Sequence, residues 1–423
     1  MRVLIVNTSD NSGGAAVAAH RLMDALNNHG VKAKMLVRDK QSDSLSVVGL
    51  SKSPLLRWHF LWERFVIFYN LRFSKKHLFD IDIANSGTDI TRLPEFREAD
   101  IIHLHWINQG LLSLKDIRKI LKSGKPVVWT MHDIWPATSI CHITLNCNNY
   151  KTSCHNCRLL PGNGSKNDLS AKTWKRKRNI LNGENIFFVA CSRWLAGEAK
   201  SSALLKGQKI TNIPNPIDSR IFNSRNKNEA RERLGLPKDK ILLLFAAQRV
   251  TNAYKGMDYL IKACQLLTDN STLSSQLEMV IVGNCAEEIT ASLPFPSHSL
   301  GYITDAHMMS TVYNAVDLFV LPSLSENLPN TIMEAMACGV PSVGFDVGGI
   351  PEMIDHKKNG YVAKYRNAED LARGISWTLT EADSDEIRHL CLRKVAQNYS
   401  QSAVALRYVE VYNQAMAVKH YKL

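Results

Sequence analysis

The sequence predicts an α/β protein built from two doubly wound domains, and three observations support this fold class. Short apolar runs alternate with helix-type patterns along most of the chain, as in parallel sheets covered by helices. The alternation starts twice, once near the N-terminus and again at Ile241–Ala246. The length of 423 residues suits two domains, because one domain usually takes about 100–200 residues.

The N-terminal half opens with a strand, a glycine-containing loop, a helix and a second strand. Val3–Val6 is a short apolar run, and an alanine-rich helical pattern extends from Ala15 to about Asn28. Ala33–Val37 reads as the next strand, which completes the opening of a doubly wound domain. Further strands are predicted at Ile101–Leu104, Val127–Met131 and Phe187–Ala190.

A proline-rich turn marks the domain boundary. Two prolines bracket an asparagine in IPNPID, at Ile213–Asp218, which indicates a rigid turn. We therefore expect an N-terminal domain at 1–212, a C-terminal domain at 213–400 and a final helix at 401–423 that packs back on the N-terminal domain. Strands of the second domain are also predicted at Leu277–Val282, Leu318–Leu321 and Pro341–Phe345.

Composition limits the classes of partner. The formal net charge of +13 favours nucleic acid, an acidic membrane surface or a phosphorylated small molecule, or else reflects a generally basic surface. The nine cysteines are an odd number, and a chain of this size needs no disulfide framework. Without a signal peptide or a run of ~18 apolar residues, the protein is expected to be cytoplasmic, either free or peripheral at the inner face of the cytoplasmic membrane.

The segment PSLSENLPNTIMEAMACG holds the densest group of chemically active residues. Glu326 and Glu334 are separated by seven residues, and Pro329 between them is predicted to open a helix carrying Asn330 and Thr331. Backbone N–H groups at a helix N-terminus form an anion site that suits a diphosphate. Glu334 could then accept ribose hydroxyls and Glu326 could reach a transferred sugar. The alternative is a surface glutamate and a capping glutamate.

The E-x7-E spacing of Glu326 and Glu334, followed by AxxxGxPxV and GGxPE, resembles the pattern of glycosyltransferase family 4, a large GT-B group. The resemblance covers essentially the whole chain, since the N-terminal Gly-Gly loop, the IPNPID linker (usually IPNGID) and QRVTNAYKG follow in family order. It implies two Rossmann-like domains that face each other across a cleft, retention of anomeric configuration, and no metal in catalysis.

The resemblance also implies roles for individual residues. Arg249 and Lys255 match the cations that grip the donor diphosphate and neutralise charge on the leaving nucleotide; the alternative is two surface cations. The chain departs from the family at Gln248, where glycine is common, and in a short insertion before Lys255, so the loop geometry is expected to differ. The donor-binding residues implied are Gly13, Gly14, Arg249, Lys255, Asn327, Leu328, Asn330, Thr331 and Glu334.

His132 directly follows the predicted strand Val127–Met131, where the family often has a histidine that contacts the transferred sugar. We therefore predict His132 and Glu326 as the catalytic residues, acting first by positioning the sugar. The family is described by a front-face mechanism in which the donor phosphate helps to deprotonate the acceptor. The alternative is a histidine satisfied by Asp133 or by backbone.

Four cysteines follow His132 with the spacing C-x5-C-x6-C-x2-C. Four thiolates can hold zinc tetrahedrally, although only one pair has the usual C-x2-C spacing. Structural zinc, two disulfides and reduced thiols are therefore all open. This loop also resembles a subgroup of exopolysaccharide enzymes that includes colanic acid biosynthesis glycosyltransferases. The four candidate ligands are Cys141, Cys147, Cys154 and Cys157.

The segment from Pro54 to Lys76 interleaves aromatic and aliphatic residues with five cations. It is too broken by charge to span a bilayer, but it could lie in the interface with its cations on lipid phosphates. The alternative is a helix packed on the core of the N-terminal domain. A polyprenyl-diphosphate-linked saccharide, bound by the N-terminal domain, would fit both this segment and the basic charge.

Three other patterns are weaker. The loop GGAA lacks G-x-G-x-x-G, which disfavours a dehydrogenase. Asp80 and Asp82 form a D-x-D that is expected to be a chance match. We expect His103 and His105 to point to opposite faces of their strand, and so not to share a metal, with His105 or Trp106 bordering the acceptor site.

The predicted function is transfer of a hexose-type sugar from a UDP- or GDP-sugar to a saccharide acceptor in surface or exopolysaccharide biosynthesis. Two alternatives stay open. A sugar-nucleotide 2-epimerase of the same fold would act on the donor without an acceptor. A basic nucleic-acid-binding protein, from a different class, is permitted by charge but is accompanied by no recognised nucleic-acid motif.

Overall fold

The computed structural model describes residues 1–51 and 53–420, and the chain divides into two compact units. Unit 1 comprises Met1–Asn215 together with the C-terminal segment from Val404, and unit 2 comprises Pro216–Ala403. The division falls inside the IPNPID turn, between Asn215 and Pro216.

Unit 1 is built on a sheet of seven parallel strands in the order β3-β2-β1-β4-β5-β6-β7. The strands are β1 (Arg2–Ser9), β2 (Lys32–Asp39), β3 (Val47–Gly49), β4 (Ile101–Leu104), β5 (Val127–Met131), β6 (Ile186–Ala190) and β7 (Lys209–Asn212). The helices of its first segment are α1 (Gly14–Asn28), α2 (Pro54–Asn70), α3 (Pro94–Glu98), α4 (Leu114–Lys122), α5 (Leu169–Leu181) and α6 (Arg193–Ser201).

Unit 2 contains a six-stranded parallel sheet in the order β10-β9-β8-β11-β12-β13. Its strands are β8 (Ile241–Arg249), β9 (Leu277–Asn284), β10 (Ser297–Ser299), β11 (Leu318–Leu321), β12 (Ser342–Phe345) and β13 (Gly360–Ala363). Its helices are α7 (Lys227–Leu234), α8 (Met257–Leu267), α9 (Ser271–Ser274), α10 (Glu287–Thr290), α11 (Ala306–Ala315), α12 (Asn330–Ala337), α13 (Ile350–Met353), α14 (Ala368–Thr380) and α15 (Ser384–Asn398).

The last helix, α16 (Gln401–His420), packs on one face of the sheet of unit 1. Its side chains Val404, Tyr408 and Tyr412 share a buried cluster with Ile5 and Val128 of β1 and β5. A second cluster, which includes Leu4 and Trp129 of the same two strands, is distinct from the first. Successive residues of a strand point to opposite faces, so both faces of this sheet are covered, as parallel sheets require.

The order of strands reverses at one place in each sheet, and ligands of such sheets bind there, beyond the carboxyl ends of the strands. In unit 1 the reversal lies between β1 and β4, and the chain after β1 leads to Gly13 and Gly14. In unit 2 it lies between β8 and β11, whose following loops carry Lys255 and Glu326. We therefore expect ligands to bind at these loops.

The predicted fold class is confirmed: both sheets are parallel, and helices alternate with strands. The strands that sequence patterns missed are β3, β7, β10 and β13, which have only three or four residues each. The strands β4, β11 and β12 are equally short, but they are buried at every residue and so form recognisable apolar runs, whereas each missed strand includes residues that are not buried. Within the described ranges, no helix has both the length and the apolar character needed to cross a membrane.

Candidate functional site

In unit 2 an ion pair joins the loops that follow β8 and β11. The Nζ of Lys255 lies 2.5 Å from Oε1 of Glu326, and their side chains are 31% and 14% exposed. Lys255 ends a short 3-10 turn, and Glu326 lies on the loop before α12. The pair is thus partly shielded from water, which strengthens it relative to a surface ion pair.

Two glycines let these loops approach other backbone closely. Gly256 follows Lys255 with φ +70°, and a Cβ there would lie 1.9 Å from the carbonyl oxygen of Pro322. Gly348, of the GGxPE motif, has φ +59°, and a Cβ there would lie 1.7 Å from the carbonyl oxygen of Glu326. Both positions therefore require glycine for space and for backbone conformation.

Arg249 is the last residue of β8, on the same loop as Lys255. The register between β8 and β9 is irregular between Ala246 and Arg249, just before this loop. The Nε of Arg249 donates to Oγ1 of Thr251 at 3.0 Å, and the side chain is exposed. A cation in this position is available to an anionic ligand.

The N-terminus of α12 lies just beyond Glu326. Pro329 is the N-cap residue and not the first helical residue, so the helix begins one residue later than predicted, at Asn330. Asn330 and Thr331 occupy the first turn and are partly exposed, while Leu328 is buried and the side chain of Asn327 is half-buried. No side chain caps this helix and its first turn holds no acidic residue, so its positive end is suited to a phosphate group.

Glu334 lies one turn into α12 and is 8% exposed. The hydroxyl of Tyr313, on α11, donates to Oε2 of Glu334 at 3.0 Å. The ring of Tyr313 is fully buried among Phe222 and Phe319. The sequence does not indicate a role for Tyr313, because nothing in the local pattern of α11 points to a partner 21 residues away.

In unit 1 the predicted Gly-Gly loop forms the start of α1. Gly13 is the N-cap residue with φ +88°, a conformation that favours glycine, and no side chain caps the helix. Both Gly13 and Gly14 are exposed. The N-terminus of this 15-residue helix is a second place suited to an anion.

His132 follows β5 as predicted, and both of its ring nitrogens have neighbours. Its Nε2 lies 2.9 Å from Nδ1 of His105, and its Nδ1 lies 3.5 Å from Sγ of Cys191. Burial lowers the pKa of His132 to about 4, so the imidazole is neutral at physiological pH. Such a histidine donates a hydrogen bond from one ring nitrogen and accepts one at the other, and it carries no charge.

The expectation that His103 and His105 point to opposite faces is wrong. Their ring centroids lie 4.2 Å apart, because residues two apart in an extended chain point to the same side. Burial lowers the pKa of His103 to about 3 and holds that of His105 well below its usual value. The indole Nε1 of the neighbouring Trp106 donates to Oδ2 of Asp133 at 2.9 Å.

Asp82, from the D-x-D pattern, belongs to a buried ionic group. His142 lies between two carboxylates, with Nε2 2.6 Å from Asp82 and Nδ1 2.7 Å from Asp133. Burial opposes a charged imidazole, but Asp133 and Asp82 outweigh it and raise the pKa of His142 to about 10. Arg64 of α2 also pairs with Asp82. The group therefore ties the chain after β5 to α2.

The four clustered cysteines are free thiols, so no disulfide joins them. Burial raises the pKa of Cys141 and of Cys154 to about 12 and raises that of Cys157. In the part of the chain that the structure describes, no group of three or more His, Cys, Asp or Glu residues is arranged to hold a metal ion. Structural zinc at this loop therefore stays a prediction, which metal analysis of the purified protein would test.

Helix α2 presents an apolar surface. Ser53 caps it and Pro54 opens it, and its buried residues are Glu63, Arg64 and Ile67. Arg64 is thus an internal ion-pair partner and not one of the surface cations expected of this segment. The rings of Trp58, Trp62 and Phe65 stack along the helix, with centroids about 6 Å apart. The exposed large hydrophobic side chains of α2 are Leu55, Trp58, Leu61, Trp62, Phe65 and Tyr69.

The two units match two domain families in succession. Residues 12–220 match the model described as Glycosyltransferase Family 4, and residues 226–391 match the model described as Glycosyl transferases group 1. The chain is 30% identical over 187 residues to D-inositol 3-phosphate glycosyltransferase of Stackebrandtia nassauensis, which covers 41% of the chain and 42% of that relative. It is 33% identical over 190 residues to TuaC of Bacillus subtilis, provisionally named a teichuronic acid biosynthesis glycosyltransferase, with 44% and 45% covered.

Solved structures support the fold over the whole chain. Sucrose-phosphate synthase of Thermosynechococcus elongatus aligns with a TM-score of 0.69 at 18% identity, covering 99% of this chain and 100% of that chain. HepE of Anabaena, solved with UDP-glucose, aligns with a TM-score of 0.60 at 16% identity and covers all of both chains. These likenesses confirm the predicted GT-B fold. The chain spans less than half of the length of either curated relative described above.

Proposed function

Since the chain carries a glycosyltransferase family 4 domain followed by a group 1 domain, we propose that it is a retaining glycosyltransferase. It moves a hexose-type sugar from a UDP- or GDP-sugar to a saccharide acceptor in surface or exopolysaccharide biosynthesis. The observation that carries the proposal is the grouping of Lys255, Glu326, Glu334 and the N-terminus of α12 around the strand reversal of unit 2.

Each part of this grouping suits one part of a nucleotide sugar. Lys255 and Arg249 neutralise the diphosphate, and the start of α12 offers backbone N–H groups to it. Glu334, fixed by Tyr313, accepts ribose hydroxyls. Glu326 reaches towards the transferred sugar, while contact of His132 with that sugar stays a prediction from the family resemblance. Complexes of HepE with UDP and UDP-glucose support a UDP-sugar as the first donor to test.

During transfer, the bond between the anomeric carbon and the donor phosphate breaks while a bond to an acceptor hydroxyl forms on the same face. The proton of that hydroxyl passes to the departing phosphate. The charge that develops on the nucleotide is then stabilised by Lys255 and Arg249 in place of a metal ion. A donor diphosphate would compete with Glu326 for Lys255, so donor binding would free the Glu326 carboxylate to reach the sugar.

The acceptor is proposed to be linked to a polyprenyl diphosphate. The exposed aromatic side chains of α2 and the exposed cations Arg57, Arg72, Lys75 and Lys76 suit an anionic membrane surface, where such acceptors reside. The relation to TuaC supports a surface polysaccharide as the product. The enzyme would then work as a peripheral protein at the inner face of the membrane.

The first experiment is a thermal-shift screen of the purified protein against UDP-, GDP- and CMP-sugars with EDTA present. A ligand that binds the folded state raises the melting temperature. The sugar nucleotide that produces a shift is then incubated with lipid-linked saccharides, and NMR of the product gives the anomeric configuration. Retained configuration without added metal supports the proposal.

The same experiment separates the alternatives. Conversion of the sugar nucleotide to its 2-epimer without an acceptor would identify an epimerase. Absence of both a shift and a product with all donors, in the presence of acceptor and anionic vesicles, would overturn the transferase proposal. Nucleic-acid binding would instead appear as an affinity that falls steeply with salt.

A further inference from the structure

A column of neutral histidines and tyrosines lies behind His132 in unit 1. We propose that His105 is a positioning residue, which fixes the orientation and the tautomer of His132 through the contact between its Nδ1 and Nε2 of His132. The relevance of this to transfer rests on the proposed function, while the pairing itself is a property of unit 1 alone.

The contact between the two rings leaves His132 little freedom. The two nitrogens lie 2.9 Å apart, within hydrogen-bond distance, and the rings are nearly parallel with centroids 5.2 Å apart. On its other side, His132 meets Cys191 at 3.5 Å. Burial raises the pKa of the Cys191 thiol, so this neighbour stays protonated and is only a weak donor or acceptor. His105 is therefore the stronger of these two partners.

Because both imidazoles are neutral, one must donate and the other must accept in this contact. If His132 carries its proton on Nε2, it donates to His105, whose own proton is then on Nε2. If His132 carries its proton on Nδ1, His105 donates from Nδ1. The tautomer of His132 is thus set by that of His105. In both arrangements Nε2 of His105 stays buried, and it has no hydrogen-bond partner among the described residues.

His105 packs against His103, and residues of the C-terminal helix in turn contact His103. Its ring lies against that of His103, with centroids 4.2 Å apart. Nδ1 of His103 contacts the hydroxyl of Tyr412 at 2.7 Å, and Nε2 contacts Oγ1 of Thr130 at 2.7 Å. The hydroxyl of Tyr408 lies 2.9 Å from the same Thr130 oxygen. His105 therefore packs against a ring whose two nitrogens are both within hydrogen-bond distance of a partner.

Two substitutions of one residue separate the hydrogen bond from the volume of the ring. His105→Phe keeps an aromatic ring but removes both ring nitrogens, including Nδ1, whereas His105→Asn can place a polar atom near the position of Nδ1. In the full-length protein labelled with 15N-histidine, the His132 signals are assigned by their loss in His132→Asn. The wild type should show the shifts of one tautomer, His105→Asn should retain them, and His105→Phe should show averaged values.

Kinetics provide the second measurement. Loss of one hydrogen bond that orients a substrate-contacting group should lower kcat by about tenfold. We expect this for His105→Phe with KM within twofold, and kcat within about threefold of wild type for His105→Asn. Unchanged His132 shifts in His105→Phe would overturn the pairing, and unchanged kcat would overturn its role in positioning. Absence of transfer in the wild type contradicts the proposed function, and the NMR measurement still decides the pairing.

Discussion

Lys255 and Glu326 form an ion pair with Nζ and Oε1 2.5 Å apart, and they come from loops that follow adjacent strands of unit 2. The sequence predicts each residue as part of a donor site but does not predict that they contact one another. The ion pair holds Lys255 beside Glu326, which lies on the loop that leads into α12. Lys255→Ala is therefore expected to have two effects. It removes a cation, and it leaves the partly buried carboxylate of Glu326 without this ion-pair partner.

We predict that Lys255→Ala lowers affinity for the nucleotide sugar by about 10–100-fold, the usual effect of losing a charge-assisted hydrogen bond. Transfer activity should fall at least as far. The measurement is the thermal shift against donor concentration, followed by steady-state kinetics. Lys262→Ala, on the exposed side of α8, is the matched control and should behave as wild type. Equal shifts in Lys255→Ala and in the control would remove Lys255 from the donor site.

Glu334 supports a second prediction, because Tyr313 donates to it from a fully buried position. Tyr313→Phe should weaken donor binding several-fold by removing one hydrogen bond that orients the carboxylate, and should destabilise the fold by about 1 kcal/mol. Glu334→Ala should lose most activity while the protein stays folded. Donor titration measures the change in donor affinity, and chemical denaturation measures the change in stability. Tyr302→Phe, at an exposed position of unit 2, serves as the control.

More of the donor site than of the histidine contacts in unit 1 could be predicted from the sequence, because the donor-site residues lie close together in the chain. Glu326, Pro329 and Glu334 lie within nine residues, so spacing alone predicts a helix N-terminus with a carboxylate on each side. The contact between His103 and Tyr412 joins residues 309 positions apart. No local pattern reports such a contact, and only the packing of α16 on the sheet creates it.

Contacts made by loop residues were also not predictable from local sequence patterns. Sequence patterns suggest zinc as one possible state of the four cysteines after β5 but indicate no role for the neighbouring His142, which the structure places between Asp82 and Asp133. Its partners are 60 and nine residues away, on two different loops. Long strands of each sheet were predicted to within a few residues because burial imposes continuous apolar runs on them. Loop conformations depend on side-chain contacts that periodicity does not contain.

The buried histidines of unit 1 predict a dependence of stability on pH. The pKa of His132 is lowered from its ordinary value near 6.5 to about 4, and that of His103 to about 3. Between these values the unfolded chain binds protons that the folded chain excludes, so their contribution to stability is present above pH 6.5 and is lost as the pH falls towards 4. Each such histidine changes the free energy of unfolding by up to about 1.4 kcal/mol per pH unit in this window.

The comparison of wild type with His132→Asn isolates one of these histidines from other groups that titrate. Free energies of unfolding measured between pH 6.5 and 5 should fall less steeply in the variant, by roughly 1 kcal/mol per pH unit. Leu406→Ser, at an exposed position of α16 without a titratable side chain, is a control that should leave the slope unchanged. Identical slopes in wild type and His132→Asn would show that His132 is protonated as readily in the folded protein as in the unfolded chain.

Helix α2 gives the last prediction, which concerns the membrane. Trp58, Trp62 and Phe65 form a stacked row that is 41–56% exposed, and replacing all three by serine removes much of the apolar area available for insertion. We expect the wild type to float with vesicles that contain anionic lipid and to bind neutral vesicles more weakly, because basic residues near the surface contribute about 1 kcal/mol each with anionic lipid. The triple variant should bind at least tenfold more weakly.

Leu406→Ser, at an exposed position of α16 that is 62% accessible, removes a comparable exposed side chain elsewhere in unit 1 and should bind as wild type does. If the triple variant transfers sugar normally to a water-soluble acceptor but poorly to one held in vesicles, α2 serves acceptor access and not chemistry. Equal flotation of the triple variant and wild type would exclude this face of α2 as the membrane contact.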